Sequence, residues 1–346
     1  MTEHLQLVEP LINETWVVDG KALHTRPDDV SALYIAPLVH QRGATWPNVK
    51  ILHSVLLDNN VLIDLLQDRQ PSDNQYVLEL FRTTPLEFNP VMALIEKRQG
   101  FAGASESVHQ LADLLAKNYG SEAAKINAVE FDRILERGKE DISANLDLLS
   151  GYIPAIIYLY HLPGSAESKI EWLAGIISAN DLPYMQIPFY LAALLFLVKE
   201  KPDLFPRKVV AKVTRDTKLQ PSMELQKKAA LNLAYDVMLP ATALFTAGLS
   251  ETVVVPYIAT RDYLLQELLN QITCGAIVAL PDGRANGAWQ LKPSGHLHAH
   301  LAQAITAHMP RRVGPGSESE MAVRRARMRA VGDSYLAKCL DLKARA

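Results

Sequence analysis

The chain has 346 residues, 49% of them hydrophobic and 21% charged, which suits one large domain or two ordinary ones and excludes global disorder. With 35 basic against 38 acidic side chains the formal net charge is -3, so the chain as a whole is no polyanion binder. Any grip on nucleic acid must come from a local patch or from metal ions.

Residues 1 to 48 read as an N-terminal extension of a short helix and irregular connections, broken by "RPDD" and "RGATWPN". The first sixteen residues carry acids and no uninterrupted apolar run, so no secretory signal is expected there. "VKILHSVLLDNN" (49–60) is β-rich and ends in polar turn formers, as a strand running into a loop does. "VLIDLLQDRQPSDNQ" follows with apolar residues at helical spacing, and "DNQYVLELFRTTP" reads as a second helix. "FNPVMALIEKRQGF" (88–101) reads as a third, with Asn89 as N-cap, Pro90 first and Gly100 as the stop.

From 101 to 224 the pattern is helical almost throughout, with no repeat of fixed period. The most apolar run, "IPFYLAALLFLV" (187–198), is too short for a bilayer, which needs about 20 residues, and reads as a buried core helix. The apolar stripes of 152–198 form core or a helical dimer interface. A cytoplasmic protein with no membrane association is expected. "SMELQKKAALNLAYDVMLPATALFTAGLS" (222–250) is one helix, or two joined near Tyr235. "ETVVVPYIATRDYLLQELL" is a strand that turns into a helix at Thr260-Arg261-Asp262, and "GAIVALPDG" is a short strand. The two cysteines, Cys274 and Cys339, lack metal-ligand spacing and read as reduced thiols.

The tail beyond 285 differs in character. "HLHAH" places His296, His298 and His300 in alternation, which on a strand would aim three imidazoles one way and suit zinc, whereas helical spacing would scatter them. From Arg311 onward nine basic residues face four acids, and Arg324, Arg325, Arg327 and Arg329 form a basic stretch able to contact nucleic-acid phosphate. Its plainer reading is a solvated or acid-paired helix face.

Two places share one arrangement: an apolar strand runs to Asp58, another to Asp262, and each acid stands where a helix begins. In open α/β sheets, sites form beyond the carboxyl ends of the strands, so parallel neighbouring strands would open both acids into one crevice. Glu96, late in the 88–101 helix, and Asp236, opening "DVMLPATAL", could join them. Glu79 and Glu87 are alternatives to Glu96, and Asp64 reads as a surface acid. The plainer reading of Asp58, Asp236 and Asp262 is as helix-capping acids. Clustered carboxylates raise one another's pKa unless a cation neutralises them, and hard divalent ions take such oxygen ligands.

These residues carry a family resemblance. "VLLDNNVLIDLL", "NPVMALIEKRQG" and "DVMLPATALFTAG…VPYIATRDYLLQEL" resemble, in order, the opening strand and Asp, the middle Glu helix and the closing segment of PIN-domain nucleases. The resemblance implies a Rossmann-like α/β/α core with a central parallel sheet, at 49–100 plus 225–284. Residues 101–224 would be a large helical insertion and 285–346 a C-terminal extension. It implies a metal-dependent endonuclease, most often of RNA, with Asp58, Glu96, Asp236 and Asp262 as catalytic acids holding Mg²⁺ or Mn²⁺. Asn60 and Thr260 would support them. Single-stranded RNA, favoured over DNA, is the expected partner, alongside a homodimer mate or a protein inhibitor. The other reading is an inactive PIN-like module that binds nucleic acid or protein. Asn59 stands where that family has Thr or Ser.

Overall fold

A computed structural model describes residues 15–18, 21–24, 34–37, 50–67, 86–98, 104–119, 128–245, 252–279, 285–309 and 318–345. The helix expected in "DNQYVLELFRTTP" and the stop at Gly100 lie outside the described residues. The chain divides into two compact units: Met1–Glu140 with Leu239–Asp262 and Thr273–Gln290, and Asp141–Met238 with Tyr263–Ile272 and Leu291–Ala346.

The first unit is α/β. Strands β1 (Thr15–Val18) and β2 (Lys21–His24) pair antiparallel. Next come β3 (Tyr34–Pro37), β4 (Lys50–Leu57), helix α1 (Asn59–Leu66), β5 (Leu86–Asn89), α2 (Val91–Arg98) and α3 (Ala104–Tyr119). With β6 (Thr252–Thr260), four of the strands make a sheet of order β3-β6-β4-β5. β4 runs parallel to both β5 and β6, and β3 is antiparallel to β6. The register Leu56↔Ile258 and Leu57↔Ala259 brings the carboxyl ends of β4 and β6 level. Val55, Leu56 and Leu57 are buried, the continuous apolar run of a strand covered on both faces. Helix α1 buries Val61, Leu62 and Leu65 and packs on α2, whose Val91 to Ile95 are all buried. The strand β5 occupies residues that periodicity assigned to a helix start. Asn89 nonetheless acts at the head of α2, its Oδ1 accepting from the Val91 amide at 3.1 Å. β7 (Ile272–Ala279) and β8 (Ala285–Leu291) pair in a separate two-stranded sheet.

The described parts of the second unit are helical. Its elements are the latter part of α4 (Ala128–His161), α5 (Ala166–Ala179), α6 (Gln186–Glu200), α7 (Arg207–Asp216), the first part of α8 (Met223–Phe245), α9 (Tyr263–Gln271), α10 (His296–His308) and α11 (Glu318–Arg345). Every residue of α6 from Ile187 to Val198 is buried, so the most apolar run of the chain is the axis of this core. Fully burying one Leu or Phe contributes about 1.5–3 kcal/mol, so this helix is the main hydrophobic anchor of the unit. Helices α5, α7, α9 and α10 pack against it. Among the described residues one window, Ile142–His161, is long and apolar enough to cross a membrane by length and composition, and it is mostly buried within the chain. At the C-terminal end of α4, Lys169 and Lys199 both donate to the Tyr160 carbonyl, at 3.1 and 2.5 Å. Two cations there complement the negative end of the helix dipole. Burial and the mutual repulsion of the pair push Lys169 down to about 8.

The expected His array is a helix, as α10 runs through "HLHAH". His296 stacks with His300 one turn on and meets Phe205 edge to face. His298, two residues from each, is turned to another side of the helix.

Helices α4 and α11 cross where neither can carry bulk. A Cβ on Gly332 would lie 2.8 Å from both the Gly151 Cα and the Ser150 carbonyl oxygen. Gly→Ala in a helix interior ordinarily gains up to about 1 kcal/mol. Here the added methyl meets backbone, and overpacking costs about 1–3 kcal/mol. Gly332→Ala should therefore lower the thermal midpoint followed by circular dichroism; a raised midpoint would contradict this close crossing.

Candidate functional site

The parallel pairing of β4 and β6 sets Asp58 and Thr260 side by side just beyond their last paired residues. The ladder extends one step further, with the Asp58 amide donating to the Ala259 carbonyl at 2.9 Å. Thr260, fully buried, then links the two acids. Its hydroxyl donates to Asp58 Oδ2 at 2.7 Å and accepts from the Asp262 amide at 2.9 Å. A hydroxyl has one proton and two lone pairs, so both bonds are made at once and fix its orientation. Asp58 and Asp262 are buried, at 6% and 5% exposure.

Asp58 occupies the N-cap position of α1 with extended backbone, yet its side chain makes no capping bond. The capping explanation of this acid therefore fails. Its carboxylate instead accepts from the Thr260 hydroxyl and, at 3.4 Å, from the side-chain Nδ2 of Asn60. Burial pushes Asp58 above the ordinary carboxylate range, the Thr260 bond opposes that, and the Asp262 charge raises it again. A carboxyl held in this way ionises at a cost unless a cation arrives.

Glu96, half-buried on α2, accepts from Asn59 Nδ2 at 3.2 Å, which ties it to the residue next to Asp58. The Asn59 Oδ1 is buried with no hydrogen-bond partner. That orphaned carbonyl-type oxygen is a hard donor, as are the carboxylates around it, so the residues fit a divalent cation that prefers oxygen. Asp64 is not the surface acid its position suggested. It is buried, and its Oδ2 lies 2.8 Å from Arg261 Nε, the residue between Thr260 and Asp262.

Asp236 belongs to the second unit. It does not open a helix: α8 is continuous from Met223 to Phe245 and carries Asp236 in its interior. Capping is thus excluded for this acid as well. Lys212 Nζ, on α7, lies 2.5 Å from Asp216 and 3.8 Å from Asp236. Asp262 is bonded to Tyr263, the first residue of α9. By donor chemistry the carboxylates of Asp216 and Asp236 are hard oxygen ligands of the kind a divalent metal ion takes. Asp216 and Lys212 escaped sequence reading because a Lys–Asp pair at i,i+4 on an amphipathic helix looks like any solvated ion pair. The one available signal was the density of cations around that lone acid in "RKVVAKVTRDTK".

On α11, Arg327 bonds Asp181 at 3.0 Å and Arg329 pairs with Asp147. Arg324 and Arg325 are half-buried there. No protein-family model, curated protein or solved structure matches the chain.

The raised Asp58 has a consequence with a definite sign. Its folded form binds a proton more readily than the unfolded chain does, so stability falls as pH rises through the range where Asp58 ionises. Asp58→Asn in EDTA should therefore melt a few degrees above the native protein at pH 8. The gain should vanish below the ordinary carboxylate range. A variant less stable than native at pH 8 would contradict a buried, cation-demanding Asp58.

Proposed function

We propose that this protein is a divalent-metal-dependent endonuclease, acting on RNA, with a PIN-like first unit. The reading is supported above all by one observation. Asp58 is buried at the end of a central strand, caps nothing, and shares Thr260 with Asp262. A fold that only needed a helix cap would gain more from an exposed Asp bonded to the first-turn amides. Asp58 and Asp262 would hold the ion, with Glu96 as a further acid and Asn59 Oδ1 as a neutral donor. Mg²⁺ or Mn²⁺ bound there would supply Lewis acidity at a phosphodiester. The chain's own residues orient the acids: Thr260 and Asn60 each donate to Asp58, and Asn59 donates to Glu96. The Arg261–Asp64 pair anchors the segment between the two strand-end positions.

A second reading is an inactive binding module. The position of Lys212 favours it, since an ammonium already offsets part of the charge of Asp216 and Asp236.

Mn²⁺ should raise the melting midpoint of the native protein over EDTA, by an amount equivalent to about 2.7 kcal/mol at a hundredfold excess over Kd. Asp58→Asn and Asp262→Asn should each lose most of that rise. The native protein should cleave single-stranded RNA only with Mn²⁺ or Mg²⁺, and both variants should lose at least about a hundredfold in rate, the scale of removing one charge-stabilising group. A metal-induced rise without cleavage selects the binding module; no rise at all removes the metal site.

A further inference from the structure

A metal-dependent nuclease with net charge -3 needs a local grip on its polyanionic substrate. The arginines of α11 serve poorly, since Arg327 and Arg329 are already engaged by Asp181 and Asp147. A different helix of the same unit is better equipped. Residues 207–218, "RKVVAKVTRDTK", hold Arg207, Lys208, Lys212, Arg215 and Lys218 against a single acid, Asp216. Helix α7 buries Val209 and Val213 against its neighbours, and the opposite side is exposed at Arg207, Lys208, Ala211, Thr214 and Arg215, with Lys218 exposed just beyond.

At about 100° per residue the four cations of the helix fall within an arc of about 140°. Ala211 and Thr214 lie on the same face and leave the stripe free of bulk. Along the axis, Arg207 to Arg215 covers about 12 Å at 1.5 Å per residue, and Lys218 follows just past the helix end. That length spans roughly three to four phosphates at 3.4 Å per nucleotide of one stacked strand. The edge of the stripe is Lys212, whose ammonium touches Asp216 and Asp236. The stripe therefore ends at two carboxylates of its own unit. Arg215 is 71% exposed, and its one ion pair is with its chain neighbour Asp216.

We propose that this exposed face of α7, continued by Lys218, grips the phosphate backbone of a single nucleic-acid strand. The inference rests on the nuclease reading and adds the surface that holds the substrate. An anionic membrane fits less well. A helix lying on lipid buries its apolar face in the headgroup region, whereas the apolar face of α7 is buried within the protein and its outer face carries no large apolar residue.

The test uses the full-length protein in EDTA, where metal-dependent cleavage cannot occur. The probes are fluorescein-labelled 12-nucleotide RNA and DNA strands, followed by anisotropy over a salt series. Arg207→Gln/Arg215→Gln/Lys218→Gln should bind roughly tenfold or more weakly, with a log K against log salt slope shallower by about 2, since each single-strand phosphate contact contributes about 0.7. Arg207→Gln/Lys218→Gln, which leaves the Arg215–Asp216 pair intact, should show about two thirds of the slope change. Arg327→Gln/Arg329→Gln should bind as the native protein does. Unchanged affinity and slope in the triple variant would overturn the grip while leaving the nuclease reading standing. Native protein that binds phosphatidylserine vesicles but neither strand would overturn it too. Native protein that binds strands through α7 yet never cleaves with Mn²⁺ would support the grip and sink the nuclease reading.

Discussion

One hydroxyl organises the candidate chemistry of the first unit. Thr260 ends β6, and it can reach Asp58 only because β4 and β6 run parallel in a register that brings their ends level. Its proton goes to Asp58, and its lone pair takes the Asp262 amide. Two acids far apart in sequence are thereby fixed to one short side chain. Burial then makes the Asp58 charge costly, and cost is what distinguishes a working carboxylate from a solvated one. Asn59 extends the arrangement by holding Glu96 with its amide nitrogen while its oxygen stays without a partner.

The second unit handles acid in another way. Asp216 and Asp236 share Lys212, and Asp216 also pairs with Arg215, so cations of α7 offset their charge within the chain. These cations lie on a helix whose outer face is basic and whose inner face is anchored to an entirely apolar core helix. Sequence distribution of charge thus does two jobs on α7. Valines at i and i+4 fix the helix to the core, and Arg207, Lys208 and Arg215 are left to solvent.

What could be read from sequence follows the range of the interactions involved. The strands β4 and β6 and the helices after them were legible, because apolar runs ending in Asp and then turning to helical spacing need only local pattern. The parallel pairing was legible as a condition, since it alone brings Asp58 and Asp262 together. The burial of α6 was equally plain from its unbroken apolar run. The strand β5 was hidden because Asn89-Pro90 reads as a helix start, and it is one, directly after the strand. β8 was hidden because "ANGAWQL" is poor in β-branched residues. The burial of Asp64 depends on Arg261, a partner no local pattern reveals. Asp236 looked like a helix start because it opens the apolar run "DVMLPATAL", but α8 continues through both it and Pro240. Likewise, the spacing of His296, His298 and His300 suits a strand, and only the helical backbone of α10 separates them.

The central claim is that Asp58 is held in a buried, ion-demanding state by Thr260. Anomalous diffraction from a crystal of the native protein soaked in Mn²⁺ tests it most directly. The account predicts a peak about 2.1–2.2 Å from an Asp58 carboxylate oxygen, the distance hard divalent ions of this size adopt. A fully occupied peak elsewhere on the molecule, or none while Asp58 remains bonded to Thr260 alone, would contradict it.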